Sequence, residues 1–104
     1  MTEFPFPPDE LARRLSQNLA ARPNGLVLTV SSPALARTPD GPALTLRLNA
    51  QPADETWDLA IPLDPVDLTL DPQALVAVLR ANIEEWWDCK DAEPHLAAWG
   101  HRLN

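Results

Sequence analysis

Glycine is scarce in this chain: three in 104 residues, none of them in a glycine-rich loop. That excludes the phosphate-cradling loops of nucleotide hydrolases and dinucleotide-binding enzymes, which need backbone N–H groups unshielded by Cβ atoms. Cysteine is scarcer still. A lone Cys89 rules out an internal disulfide and suits a reducing compartment. Lysine occurs once against seven arginines, and no basic cluster offsets a net charge of −7. Nucleic-acid affinity rests on cation–phosphate contacts, so direct nucleic-acid binding is not expected. No stretch approaches the roughly 20 apolar residues of a membrane span. Residues 1–8 have neither the basic nor the apolar region of a signal peptide. The expected location is the cytoplasm.

What is present is an apolar fraction of 45 %, enough for one small core, together with twelve prolines that foretell irregular connections. The preference for Arg over Lys, with abundant Ala, Leu and Pro, points to a GC-rich bacterial genome. Residues 1–8 read as an extended arm, Phe4-Pro5-Phe6-Pro7-Pro8, whose two rings are expected to tuck against the domain formed by residues 9–104.

The stretch 71–90 is the most strongly determined. Asp71 suits an N-cap and Pro72 the first helical position, where a missing N–H costs nothing. At helical spacing Leu75, Val76, Leu79, Ile83, Trp86 and Trp87 fall within an arc of about 120°. Trp86 lies near the middle of that stripe, as core, and Trp87 at its rim.

Upstream, 9–22 reads as a first helix with Leu11, Ala12, Leu15 and Leu19 on one side. Arg13 and Arg14 read as a solvated face or a surface ion pair. Pro23 stops the helix and Asn24-Gly25 turns the chain. Strands follow at 26–31, 43–49 and 56–63, with Leu26, Leu28 and Val30, then Leu44, Leu46 and Leu48, then Trp57, Leu59, Ile61 and Leu63 each on one face. A polar connection over 32–42 closes on Pro39-Asp40-Gly41, and Pro62 marks a strand end or edge. Val66, Leu68 and Leu70 alternate as a short fourth strand or an extended lead-in. The spacing of Leu96, Trp99 and Leu103 predicts a last short helix over 95–103, loosened by Gly100. The expected architecture is a two-layer α+β domain: an N-terminal helix, a three- to four-stranded antiparallel meander, then a long and a short helix on one sheet face.

The chemistry is sparse. Cys89, His95 and His101, with Asp91 and Glu93 between them, are the only soft-ligand group, and their spacing does not define a closed zinc site. No metal or cofactor is expected. Acidic neighbours Asp88 and Asp91 raise rather than lower the pKa of Cys89, against a nucleophilic role. Glu84 and Asp88 repel at i, i+4 on a wet helix face, unlike a catalytic carboxylate pair held in a pocket with separated pKa values. No enzymatic activity is expected.

The element order is similar to that of double-stranded-RNA-binding domains. Those use basic residues at the start of the second helix, where this chain has Asp71-Pro72-Gln73. Size, acidity and layout also resemble small bacterial immunity proteins and secretion chaperones, without a shared motif. The expectation is a non-enzymatic protein-binding module. Its leading form is an inhibitor, immunity or antitoxin-like protein masking a basic partner surface. Trp87 would be its anchor, and Glu84, Glu85, Asp88 and Asp91 its acidic rim. One alternative is a dimeric secretion-type chaperone or adaptor that binds an extended partner segment, and a second is a small metal-binding protein or enzyme.

Overall fold

The computed structural model describes residues 4, 6–19 and 25–104. Helix α1 spans Pro8–Asn18. Strands β1 (Val27–Thr38), β2 (Gly41–Gln51) and β3 (Glu55–Pro62) form an antiparallel meander. A 3-10 turn over Pro65–Thr69 leads to helix α2, Pro72–Cys89. The chain then makes a one-turn helix α3, Pro94–Ala97, and a short strand β4, Gly100–Arg102. The sheet order is β1-β2-β3-β4, so the chain returns to the outer edge of β3 after crossing the whole of α2.

Helix α2 begins as its sequence dictates. The Asp71 carboxylate accepts from the Ala74 N–H at 2.9 Å, with Pro72 just inside. Leu75, Val76, Leu79, Ile83 and Trp86 are buried, and Trp87 is half-buried beside them. They meet Leu11 and Leu15 of α1 and the inner face of the sheet: Leu28 and Val30, Leu44 to Ala50 at alternate positions, Leu59, Ile61 and Leu63. This is the two-layer α+β arrangement, with both long helices on one face. Phe4 and Phe6 pack against the same core, and the Arg14 guanidinium lies over the Phe6 ring at 4.6 Å. Arg13 and Arg14 both reach Glu10, at 3.6 and 3.2 Å.

Four expectations about elements are corrected. The first helix ends at Asn18 rather than 22. Leu19 turns to extended backbone (ψ 132°) and still packs on the core. Residues 20–24, including Pro23 and Asn24 of the predicted turn, lie outside the described residues. The polar connection at 32–42 is mostly strand: β1 runs on to Thr38 and turns at Pro39-Asp40. The cause of the misreading is a bulge. The register slips between Ser31 and Ala34, Ser32 adopts φ 53°, and the inward positions change from Leu28 and Val30 to Pro33 and Leu35. A one-residue insertion exchanges the two faces, so the alternation appears to stop.

The Val66–Leu68–Leu70 alternation is not a strand. Asp64 accepts from the Val66 N–H at 3.0 Å and caps a 3-10 turn, leaving Val66 exposed. The last predicted helix is only one turn long. Gly100, His101 and Arg102 instead pair with Leu59, Asp58 and Trp57 on β3. The Trp99 carbonyl accepts from the Ala60 N–H at 2.9 Å and the Leu103 N–H donates to Thr56 at 2.8 Å. Unpaired β3 edge groups supply the partners that a further helical turn would have found within itself. Leu103, on the apolar side of the predicted helix, is exposed.

Candidate functional site

The end of α2 carries two adjacent indoles that a helix must point about 100° apart. Trp86 goes inward. It is 0 % exposed, and its Nε1 donates to the Leu96 carbonyl at 2.7 Å, which gives the buried N–H its partner. Trp57, at the start of β3, meets Trp86 edge-on with ring centroids 5.1 Å apart. Its own Nε1 donates to Glu55 Oε1 at 3.0 Å. Trp87 lies on the other side of Trp86, at 6.4 Å and 55°. Trp57, distant in sequence, thus joins the adjacent Trp86 and Trp87 in one contiguous cluster, with Trp57 and Trp87 only half-buried.

Lys90 enters this cluster. It is the C-cap of α2, its N–H bonded to the Trp86 carbonyl at 2.9 Å. Its ammonium nitrogen stands 4.8 Å from the Trp87 ring centroid and 5.2 Å from that of Trp57. Both distances are within the range in which a ring quadrupole attracts a cation. The Lys90 side chain is 11 % exposed, and its Nζ reaches both Asp91 carboxylate oxygens at 3.3 Å. Asp91 itself is 91 % exposed.

Of the five residues expected to bind a partner, Trp87 and Asp88 lie on the last turn of α2, Asp91 just beyond its C-cap, and Glu85 is exposed on the preceding turn. Glu84 is set apart. Its side chain is 17 % exposed and accepts from Arg80 at 3.1 Å. Trp87 is no bare anchor, because Lys90 covers part of its ring. Sequence reasoning missed Trp57 and Lys90. Trp57 was readable only as one more inward position of an alternating strand. An indole at the end of a strand, beside a carboxylate two residues away, was the available signal.

Cys89 lies half-buried beside this group. Desolvation, then Glu93, Glu85 and Asp88, push its thiol pKa up from the ordinary value. Its carbonyl accepts from the Ala92 and Glu93 N–H groups at 3.0 and 2.9 Å, turning the chain out of the helix. His95 pairs with Glu93 at 3.4 Å and stands edge-on to Trp99, while His101 on β4 faces Asp58. Cys89, His95 and His101 thus belong to three separate elements. Among the described residues no three His, Cys, Asp or Glu side chains gather into a metal-holding group, and no helix is long and apolar enough to cross a membrane.

The opposite sheet face carries polar side chains through its middle. Ser31, Arg47, Asp58 and His101 form a row across all the strands. Within it Arg47 donates to both Asp58 oxygens, at 2.9 and 3.4 Å. This pair holds the Asp58 pKa below and the Arg47 pKa above their ordinary values, chiefly through the side-chain hydrogen bond.

Comparison with protein-family models, with curated proteins and with solved structures gives no match for this chain.

Proposed function

We propose that the chain is a small, non-enzymatic, cytoplasmic protein-binding module that masks a basic surface on its partner, in the manner of an inhibitor, immunity or antitoxin protein. The observation that supports this reading is the tryptophan cluster at the end of α2, half-exposed and set among carboxylates. Half-buried indoles backed by a rigid core supply contact area at low entropic cost, and surrounding acids speed encounter with a basic partner. Residues 84–93 contain Glu84, Glu85, Asp88, Asp91 and Glu93 against Lys90. The binding residues in this reading are Trp87, Glu85, Asp88 and Asp91, now joined by Trp57, with Glu84 acting through Arg80.

The test is capture of the partner from the source cell, followed by dissociation kinetics for Trp87→Ala. A loss of more than about 2 kcal/mol is expected for a central aromatic anchor. An unchanged dissociation rate removes Trp87 from the interface.

A second reading, a chaperone or adaptor that pairs with itself or with an extended segment, draws on one feature. Strand β1 is a long sheet edge, and beside it Phe4, Phe6, Pro8, Leu11, Pro33 and Leu35 line an apolar groove. A light-scattering mass separates the two: a stable homodimer favours the adaptor, and a monomer favours the inhibitor.

A further inference from the structure

Lys90 stands against tryptophan walls that are each held by their own contacts. Trp86 is anchored by its bond to Leu96 and by complete burial. Trp57 is held by strand pairing on both sides and by Glu55. Trp87 leans on Trp86 from within the helix. Lys90 sits at the helix terminus on a four-carbon stem, its side chain 11 % exposed, and the carboxylate that neutralises it belongs to the exposed Asp91. A cation between two aromatic faces with an acid at the mouth is the arrangement that recognises ammonium and guanidinium groups generally.

We propose that the Trp57–Trp87 cleft is a recognition seat for a single basic side chain, an arginine guanidinium or a lysine ammonium of the partner. In the free protein Lys90 occupies the seat as an internal stand-in. The incoming cation takes the place between the two rings, and Lys90 swings out to solvent. The inference rests on the protein-binding reading above and specifies the chemistry of its central contact. Self-occupancy lowers the apparent affinity by the fraction of time the seat stands open. It also keeps two tryptophan faces covered while no partner is present.

The seat is tested without the partner, using n-butylguanidinium as the probe and neutral n-butylurea as its isostere. Binding is read by tryptophan fluorescence and by the indole N–H resonances of Trp57 and Trp87. Lys90→Ala is expected to bind n-butylguanidinium saturably, and roughly tenfold or more tighter than the wild-type chain if Lys90 fills the seat about nine-tenths of the time. The urea should not bind. Adding Trp87→Ala to Lys90→Ala leaves the charge unchanged and should abolish the binding, which separates the seat from general acidity. If Lys90→Ala loses its fold, Lys90→Gln carries the same measurement. The wild-type chain at high probe concentration should show the same two indole shifts.

Equal affinity in wild type and Lys90→Ala, equal response to the urea, or survival of binding without Trp87 overturns the seat. Partner capture that depends on Trp87 alongside a silent probe would sink the seat and leave the protein-binding role standing. A responsive probe with no Trp87-dependent partner would do the reverse.

Discussion

Gly100 lies against the indole of Trp86, so close that a Cβ at that position would run into the ring edge at Cζ2 and crowd the Leu59 side chain. The glycine is therefore the point where β4 passes over the largest fully buried side chain of the core. Its backbone is not in the left-handed region, so the requirement is one of space alone.

Gly100→Ala is expected to lower stability by about 1–3 kcal/mol, the usual cost of overpacking a close-packed site. Urea unfolding followed by tryptophan emission measures it. A midpoint equal to wild type would mean that β4 does not cross Trp86 at this point.

Asp71→Ala should cost about 1 kcal/mol, because it removes the side-chain acceptor for the Ala74 N–H at the start of α2. Asp71→Asn should lose little, since asparagine caps nearly as well. The two variants compared by thermal unfolding distinguish a cap from a charge effect; equal losses would point to charge.

Acid sensitivity is expected from Asp58. Its folded pKa is lowered from 3.8, so between the folded and ordinary values the unfolded chain binds more protons. The contribution is present above pH 3.8 and is lost as pH falls below that value through the folded pKa. Asp58→Asn should flatten this part of the stability–pH curve, and added salt should flatten it in the wild-type chain, because the pair is solvent-exposed. An unaltered acid limb in Asp58→Asn would assign the sensitivity to other carboxylates.

Cys89 should alkylate more slowly in the folded than in the denatured chain at neutral pH, since its thiol pKa is raised above 9.0. The same shift carries a stability contribution present below the ordinary thiol pKa and lost as pH rises through the raised one. Iodoacetamide labelling against pH reads both the rate and the inflection. An inflection below that of a free cysteine would show an activating partner for the thiol.

The legibility of the fold followed how local each signal was. Helix α2 was readable end to end because cap, proline and apolar stripe all lie within its own residues. The first half of β1, β2 and β3 were readable from alternation. The second half of β1 was not, because the bulge at Ser32-Pro33 exchanges the inward positions. Strand β4 was hidden for another reason: Leu96, Trp99 and Leu103 have helical spacing, and only the open edge of β3 makes extended backbone the better arrangement. At the candidate site Trp87 and Asp88 could be found on a helix wheel, and Asp91 follows directly after the helix. The Trp57 wall could not, because strand pairing and helix docking bring it to Lys90, and neither is written in adjacent residues.

The late return of the chain to β3 sets an order of assembly. Strands β1 to β3 can pair as soon as they are made, each with its neighbour in sequence. The outer edge of β3, which carries Trp57, waits for residues emerging after the whole of α2. Pairings this distant in sequence are slow to form, since a long loop must close before they are rewarded. A nascent chain stopped before residue 99 would hold Trp86 without its Gly100 cover and Trp57 on an open edge. The tryptophan end of the molecule is thus the last part to mature, and a truncated chain would leave its aromatic rings without their β4 cover.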